Sequence, residues 1–337
     1  SFSSSSHSAM SQQTKRVVLR FPLSDAQAKQ IGTTSSEIEV INAGQSRIAQ
    51  EILAADIFIG HAKVPMPWKE VVEQGRLKWI QSSAAGLDHC LKPSVIDPDI
   101  VVSSVSGLFA NQVAEQTMAL IFGIYRSALT FFRAIEKREF VRRPTMDFRG
   151  KTVGILGFGG NGRRIAEVLA PWGNRIVASD KFPWDKPTYV DQLAHSDDFE
   201  TLLPEIDCLI LCVPLNKETH GMINQRTLGL LKPGAVVVNV ARGPVIVEND
   251  LITMLQNGHL SGAGLDVVET EPLPPTSPLW NMDNVIITPH VGAQSENRLP
   301  DTIEFVCDNL RRYLANENVV NIVDKKVGFP LRTAGDY

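Results

Sequence analysis

The stretch Thr152-Val-Gly-Ile-Leu156-Gly157-Phe-Gly159-Gly-Asn-Gly162 leaves this chain few folds to choose from. An apolar run followed by G-x-G-x-x-G predicts a strand, a tight turn and the start of a helix. The helix is legible in Ile165, Val168, Leu169 and Trp172, spaced i, i+3, i+4 and i+7, and it stops at Gly173. A second strand then ends at Asp180, 18 residues beyond Gly162. This is the order of a βαβ unit built around a dinucleotide. Gly157, Gly159, Gly160 and Gly162, with Asn161 among them, let backbone N–H groups approach a pyrophosphate, and the helix N-terminus adds partial positive charge. Asp180 is placed to accept hydrogen bonds from the adenosine ribose hydroxyls and to repel a 2′-phosphate. The expected cofactor is therefore NAD (NADH) rather than NADP, although the cation Lys181 beside Asp180 softens that exclusion.

The α/β pattern extends in both directions from the loop. At roughly 100 to 200 residues per domain, 337 residues make about two domains. Strands are expected at 17–20, 38–41, 56–59, 78–81 and 100–103, alternating with helix-compatible stretches. An uninterrupted helix is expected over about 111–136, with apolar residues on nearly every face. Such a helix has to be covered on more than one side, which suits an inter-domain spine or the interface of a homodimer. After a linker at 142–150, strands are expected at 152–156, 175–179, 208–213, 235–240, 262–265 and 285–288. Several are continuous apolar runs, as in a parallel sheet buried on both faces. Helical periodicity returns over about 295–315, in a segment that can cross back to the first domain.

Composition excludes several functions. Lys plus Arg number 33 against 37 Asp plus Glu, a net charge of −4, so no basic field draws nucleic acid or an anionic membrane surface. No apolar stretch approaches the roughly 18 to 20 residues that span a bilayer. Among Cys90, Cys208, Cys212 and Cys307, the near pair 208/212 would lie about 13 Å apart on one strand face, too far for a disulfide. Small buried thiols in a reducing compartment are the expectation, and no CxxC or HxxxH spacing points to a metal. The Ser-rich segment 1–14 has no hydrophobic core of a secretory signal and is treated as disordered. It is a tag remnant, a weak transit sequence or a natural tail. The expected location is the cytoplasm, with organellar import left open by that segment.

Three further segments contain polar residues that strand and turn propensity do not explain: Asn239-Val-Ala-Arg242-Gly243, Asp266-Val-Val-Glu-Thr-Glu271-Pro272 and Thr288-Pro-His290-Val-Gly292. Each follows an expected strand of the glycine-loop domain, where the carboxyl ends of a parallel sheet place ligands. With them the chain resembles the D-isomer-specific 2-hydroxyacid dehydrogenase family over about residues 15–323. Ser83-Ala-Ala-Gly-Leu-Asp88, Cys212-Val-Pro-Leu-Asn-Lys-Glu-Thr219, Leu231-Lys-Pro-Gly234 and Glu271-Pro-Leu-Pro274 are further family-like stretches. The resemblance implies an α/β fold of two doubly wound parallel-sheet domains. A Rossmann NAD-binding domain, 111–295, would be inserted into a flavodoxin-like substrate domain made of 15–110 and 296–337.

The resemblance also implies an enzyme that interconverts a small 2-oxo acid, such as glyoxylate or hydroxypyruvate, and its D-2-hydroxy acid. His290 would be the acid/base at the substrate oxygen. Glu271 would hold His290 and favour its imidazolium form; Glu269 is a rival two residues away, which the following Pro272 disfavours. Arg242 would bind the substrate carboxylate, with Ala85 and Gly86 offering backbone N–H groups to it. Asp266 would sit by the nicotinamide carboxamide, and Val213, Pro214, Thr219, Val240, Ala241 and Gly292 would line the cofactor. Specificity would come from side chains around 60–63, 82–88 and Trp280. The remaining histidines, His7, His61, His89, His195, His220 and His259, read as ordinary turn residues. Gly160-Asn161 departs from the family, which more often has a basic or polar residue and then Ile or Val. The alternative function is an NAD-sensing, corepressor-like binding protein on the same fold. The compact C-terminus and the lack of long disordered interaction segments favour the enzyme, and the expected absence of a regulatory domain after Asp324 argues against a serine-regulated phosphoglycerate dehydrogenase.

Overall fold

A computed structural model describes residues 13–61 and 64–331. The chain divides into two compact units, one built from residues through Ser106 together with Leu299–Leu331, the other from Gly107–Arg298. The cuts fall at 106/107 and 298/299, against expected cuts at 110/111 and 295/296. Most of the Ser-rich tail, residues 1–12, lies outside the described residues, as do 332–337 and two members of the expected specificity stretch, Ala62 and Lys63.

The discontinuous unit holds a five-stranded parallel sheet of β1 (Lys15–Arg20), β2 (Ile38–Asn42), β3 (Ile57–Gly60), β4 (Trp79–Ser82) and β5 (Val101–Ser103). Its order, β2-β1-β3-β4-β5, is that of flavodoxin. β3 and β4 are buried along their whole length, β3 as an apolar run and β4 with Gln81 and Ser82 as buried polar residues. The helix Arg298–Leu314 returns to this sheet from Leu299 onward, burying Ile303, Val306 and Leu310. A buried polar chain fixes it. Asn309 donates to Gln81 at 2.9 Å, Ser103 donates to the same Gln81 oxygen at 2.6 Å, and the Trp79 indole donates to Ser103 at 2.8 Å. A short antiparallel pair, Val323–Asp324 with Phe329–Pro330, closes the unit and had no sequence signal.

The continuous unit holds seven parallel strands: β6 (Thr152–Leu156), β7 (Arg175–Asp180), β8 (Gln192–His195), β9 (Cys208–Leu211), β10 (Ala235–Asn239), β11 (Leu260–Leu265) and β12 (Val285–Ile287). Read outward from β6, the order β8-β7-β6-β9-β10-β11-β12 is the Rossmann order with a seventh strand. Alternate residues of β9 and β10 enter separate cores. Leu209, Leu211 and Val237 face one, while Cys208, Ile210, Val236 and Val238 face the other. β8 was not expected, because it is a half-exposed edge strand without an apolar run.

The uninterrupted helix expected over 111–136 is two helices, Ala110–Tyr125 and Ala128–Glu136, bent by 69°. The break is at Ser127, which adopts left-handed backbone (φ 55°) and donates its hydroxyl to Pro144 O at 2.9 Å. No Gly or Pro marks the position, so the pattern of apolar residues runs through it unbroken. The first helix is largely buried; on the second, Phe132 and Ile135 are exposed.

Candidate active site

The glycine loop lies between β6 and the Gly160–Leu169 helix, with Gly159 as N-cap. Two of its glycines are required by space. Gly157 has φ 89°, and a Cβ on it would stand 2.6 Å from the backbone of Cys212; a Cβ on Gly162 would stand 2.1 Å from Gly157 O. The first-turn N–H groups of that helix have no intrahelical acceptor, so the loop presents donors and a positive dipole end. This cradle at the β6/β9 switch point fits a pyrophosphate. Asn161 lies in the first turn of the helix, so its side chain is not needed for the cradle. Beyond the loop, Asp180 ends β7, its carboxylate accepting from Phe158 N at 2.7 Å and Phe182 N at 2.9 Å. Lys181 is turned to Glu218, at 2.9 and 2.7 Å. On the other wall, Val213 and Pro214 follow β9, and Thr219 folds their turn by donating to Pro214 O at 2.6 Å.

β10, β11 and β12 are neighbours, so their carboxyl ends stand side by side. After β10, the fully buried Asn239 clamps the turn that carries Val240, Ala241 and Arg242. Its oxygen accepts from Ala241 N and its amide donates to Arg242 O, both at 3.0 Å. Gly243 then lies so close to the next loop that a Cβ would be 1.8 Å from Val268 O. The Arg242 guanidinium donates to Ala241 O at 2.7 Å; among the described residues its other donors have no hydrogen-bond partner.

After β11 comes Asp266, buried at 3% exposure. One oxygen accepts from Thr288 Oγ1 at 2.6 Å and Val291 N at 2.9 Å, and the other accepts from Gly292 N at 2.8 Å. Gln116, on the Ala110–Tyr125 helix, donates to Thr288 Oγ1 at 2.9 Å. Asp266 is therefore the organiser of the 288–292 turn. The backbone turns sharply here, with His290 in left-handed conformation (φ 57°) and its N–H donated to Asp266 O at 2.8 Å.

That turn brings His290 Nδ1 to 2.9 Å from Glu271 Oε2. The rival Glu269 faces elsewhere, exchanging hydrogen bonds with Glu248 at 2.9 and 3.3 Å. His290 and Glu271 are 46% and 40% exposed, so their pair adds little stability; what it does is orient the ring. Asn239, Gln116 and Thr288 had no expected role. Asn239 and Thr288 stand inside the quoted segments, whereas Gln116 had no signal.

Ala85 and Gly86 lie in the other unit, in the loop after β4. Among the described residues, neither of their N–H groups has an acceptor. Trp280 is about half exposed and donates to Pro274 O at 3.0 Å. Among the described residues, no group of three or more His, Cys, Asp or Glu side chains is placed to hold a metal ion.

A family model described as the NAD binding domain of D-isomer specific 2-hydroxyacid dehydrogenases matches residues 118–292. The chain is 35% identical to glyoxylate reductase of Thermococcus litoralis, over 77% of the chain and 81% of that protein. A D-isomer specific 2-hydroxyacid dehydrogenase from Xanthobacter autotrophicus, solved with NADPH, superposes with a TM-score of 0.79 at 27% identity, covering 94% of this chain and 100% of that one. An NADPH-dependent glyoxylate/hydroxypyruvate reductase from Sinorhizobium meliloti gives 0.78 at 26% identity, with the same coverage. Since the family model spans more than half of the sequence and these relatives match most of it, the chain belongs to the D-isomer-specific 2-hydroxyacid dehydrogenases, oxidoreductases acting on CH–OH groups with a Rossmann NAD(P)-binding domain.

Proposed function

We propose that the protein reduces a small 2-oxo acid, glyoxylate or hydroxypyruvate or a near analogue, to the D-2-hydroxy acid with NADH, and catalyses the reverse oxidation. The observation that carries this reading is the 2.9 Å His290–Glu271 contact at the carboxyl edge of a dinucleotide-binding sheet. The bound nicotinamide supplies the hydride. His290 holds a proton on Nε2, the nitrogen turned away from Glu271, and delivers it to the substrate's keto oxygen; in reverse it takes that proton back. Glu271 fixes the ring by accepting from Nδ1. Arg242 grips the substrate carboxylate with the donors that Ala241 O leaves unused. In the other unit, the open N–H groups of Ala85 and Gly86 are donors of the kind that suits a carboxylate.

NADH is preferred to NADPH because Asp180 presents a negative charge at the ribose position, and its sequence neighbour Lys181 is paired with Glu218. Val213, Pro214, Thr219, Val240 and Ala241 form the walls of the cofactor cleft, and Asp266 with Gly292 shapes the turn at its nicotinamide end. In the same reading the protein is cytoplasmic and a homodimer through the 111–136 region, where Phe132 and Ile135 are exposed.

The test is loss of NADH absorbance with purified protein across a panel of 2-oxo acids. Steady turnover of glyoxylate or hydroxypyruvate is expected. Tight NADH binding without turnover of any panel member would replace the enzyme by an NAD-sensing binding protein.

A further inference from the structure

The loop that offers Ala85 and Gly86 is built on a pair of neutral side chains. Ser82, the last residue of β4, is fully buried. Its Oγ accepts from Ala84 N at 3.1 Å and donates to Ala84 O at 2.9 Å, with a longer contact of 3.5 Å to Gly86 O. A third close partner is His89 Nε2, at 3.0 Å. A hydroxyl has one proton, and Ala84 O takes it, so the contact with His89 requires the hydrogen to sit on Nε2. In that tautomer Nδ1 is a bare acceptor. It is buried and bonds no described residue, which a lone pair tolerates better than an N–H would.

The imidazole is well confined. His89 is only 8% exposed, and the His61 ring stacks on it with centroids 4.1 Å apart. Burial first, and then the neighbouring His61, push its pKa down to about 3, so the ring stays neutral. His89 is in a turn, as a turn histidine should be, but it is a buried strut rather than a surface residue.

Both hydrogen-bonding groups of Ala84 are thus occupied by Ser82, and the next two N–H groups are left open. We infer that His89 is a positioning residue for the substrate carboxylate, acting through Ser82 to hold the 83–86 loop so that the Ala85 and Gly86 N–H groups are presented together. This rests on the proposed role of those two N–H groups. The class of ligand is a small carboxylate, because two adjacent backbone N–H groups with no side-chain cation in the loop suit one carboxylate edge.

The test compares Ser82→Ala, His89→Leu, the double variant and His89→Gln, whose amide N–H replaces the one on Nε2. For Ser82→Ala and His89→Leu, the KM for the 2-oxo acid should rise about tenfold, kcat should stay within about twofold, and NADH affinity by fluorescence titration should not move. The double variant should be no worse than either single one, and His89→Gln should recover most of the loss. Hydrogen exchange across residues 83–88 should quicken in His89→Leu and not in His89→Gln. An active wild type whose KM is unmoved by Ser82→Ala and His89→Leu would overturn the inference alone. A wild type that turns over no 2-oxo acid would overturn the functional reading and this inference with it.

Discussion

Two loops, one in each unit, solve different problems with opposite chemistry. The 288–292 turn is organised by a buried anion: Asp266 collects two backbone N–H groups and a hydroxyl, and the turn then exposes an ionisable His290–Glu271 pair. The 83–86 loop is organised by a buried neutral pair, Ser82 and His89, and carries no ionisable side chain. In the function proposed above, the charged turn moves a proton, while the 83–86 loop meets a carboxylate with a shape set by uncharged side chains, so no buried charge has to be desolvated within that loop.

Removing the proposed proton carrier is the largest intervention on the charged side. His290→Ala should lower kcat about 100-fold or more while NADH binding stays nearly intact, as read by steady-state kinetics beside fluorescence titration. An unchanged kcat would strip the 288–292 turn of its chemical role. Asp266→Ala comes next, because it leaves three donors without their acceptor. A loss of about 2 kcal/mol in urea unfolding is expected, together with a fall in kcat, since His290 loses its support. Equal stability with lower kcat would mean that Asp266 acts on the reaction directly and not through the turn.

The neutral loop makes a prediction about acid. Folded His89 binds its proton less readily than the unfolded residue, whose value is 6.5, so between pH 6.5 and about 3 the unfolded state carries more protons. Stability from this residue is complete above 6.5 and falls as the pH drops through that window, by up to ~1.4 kcal/mol per pH unit. His61 and Lys92 act in the same direction as burial, while Asp88 opposes them. His89→Gln should flatten the slope of unfolding free energy against pH in that range; parallel slopes would show that His89 is charged in the fold. The smallest effect is at the adenosine end. Asp180→Ala should narrow the preference for NADH over NADPH by about fivefold in kcat/KM, and a wild type that prefers NADPH would refute the assignment.

Both parallel sheets and the glycine loop were legible in the chain because their signals are local. Unbroken apolar runs such as 235–238 mark strands buried on both faces, and the glycine spacing has a steric reason that a single residue reveals. Arg242, Glu271 and His290 were legible as polar residues at strand ends; the structure joins Glu271 to His290, while the Arg242 side chain donates to Ala241 O. What stayed hidden depends on contacts distant in sequence. Gln116 reaches Thr288 across 172 positions, and the helix breaks at Ser127, a position with no Gly or Pro. His89 looked like an ordinary turn histidine because nothing in the sequence reveals the His61 ring that covers it.

The contact at Gly243 bears on how this protein can diversify. With no room for one methyl group between the Arg242 turn and Val268 O, these two backbones have no slack. Any side chain at 243 would drive the Arg242 turn away from Val268, so a mutant library that randomises position 243 should return glycine almost alone among folded, active clones.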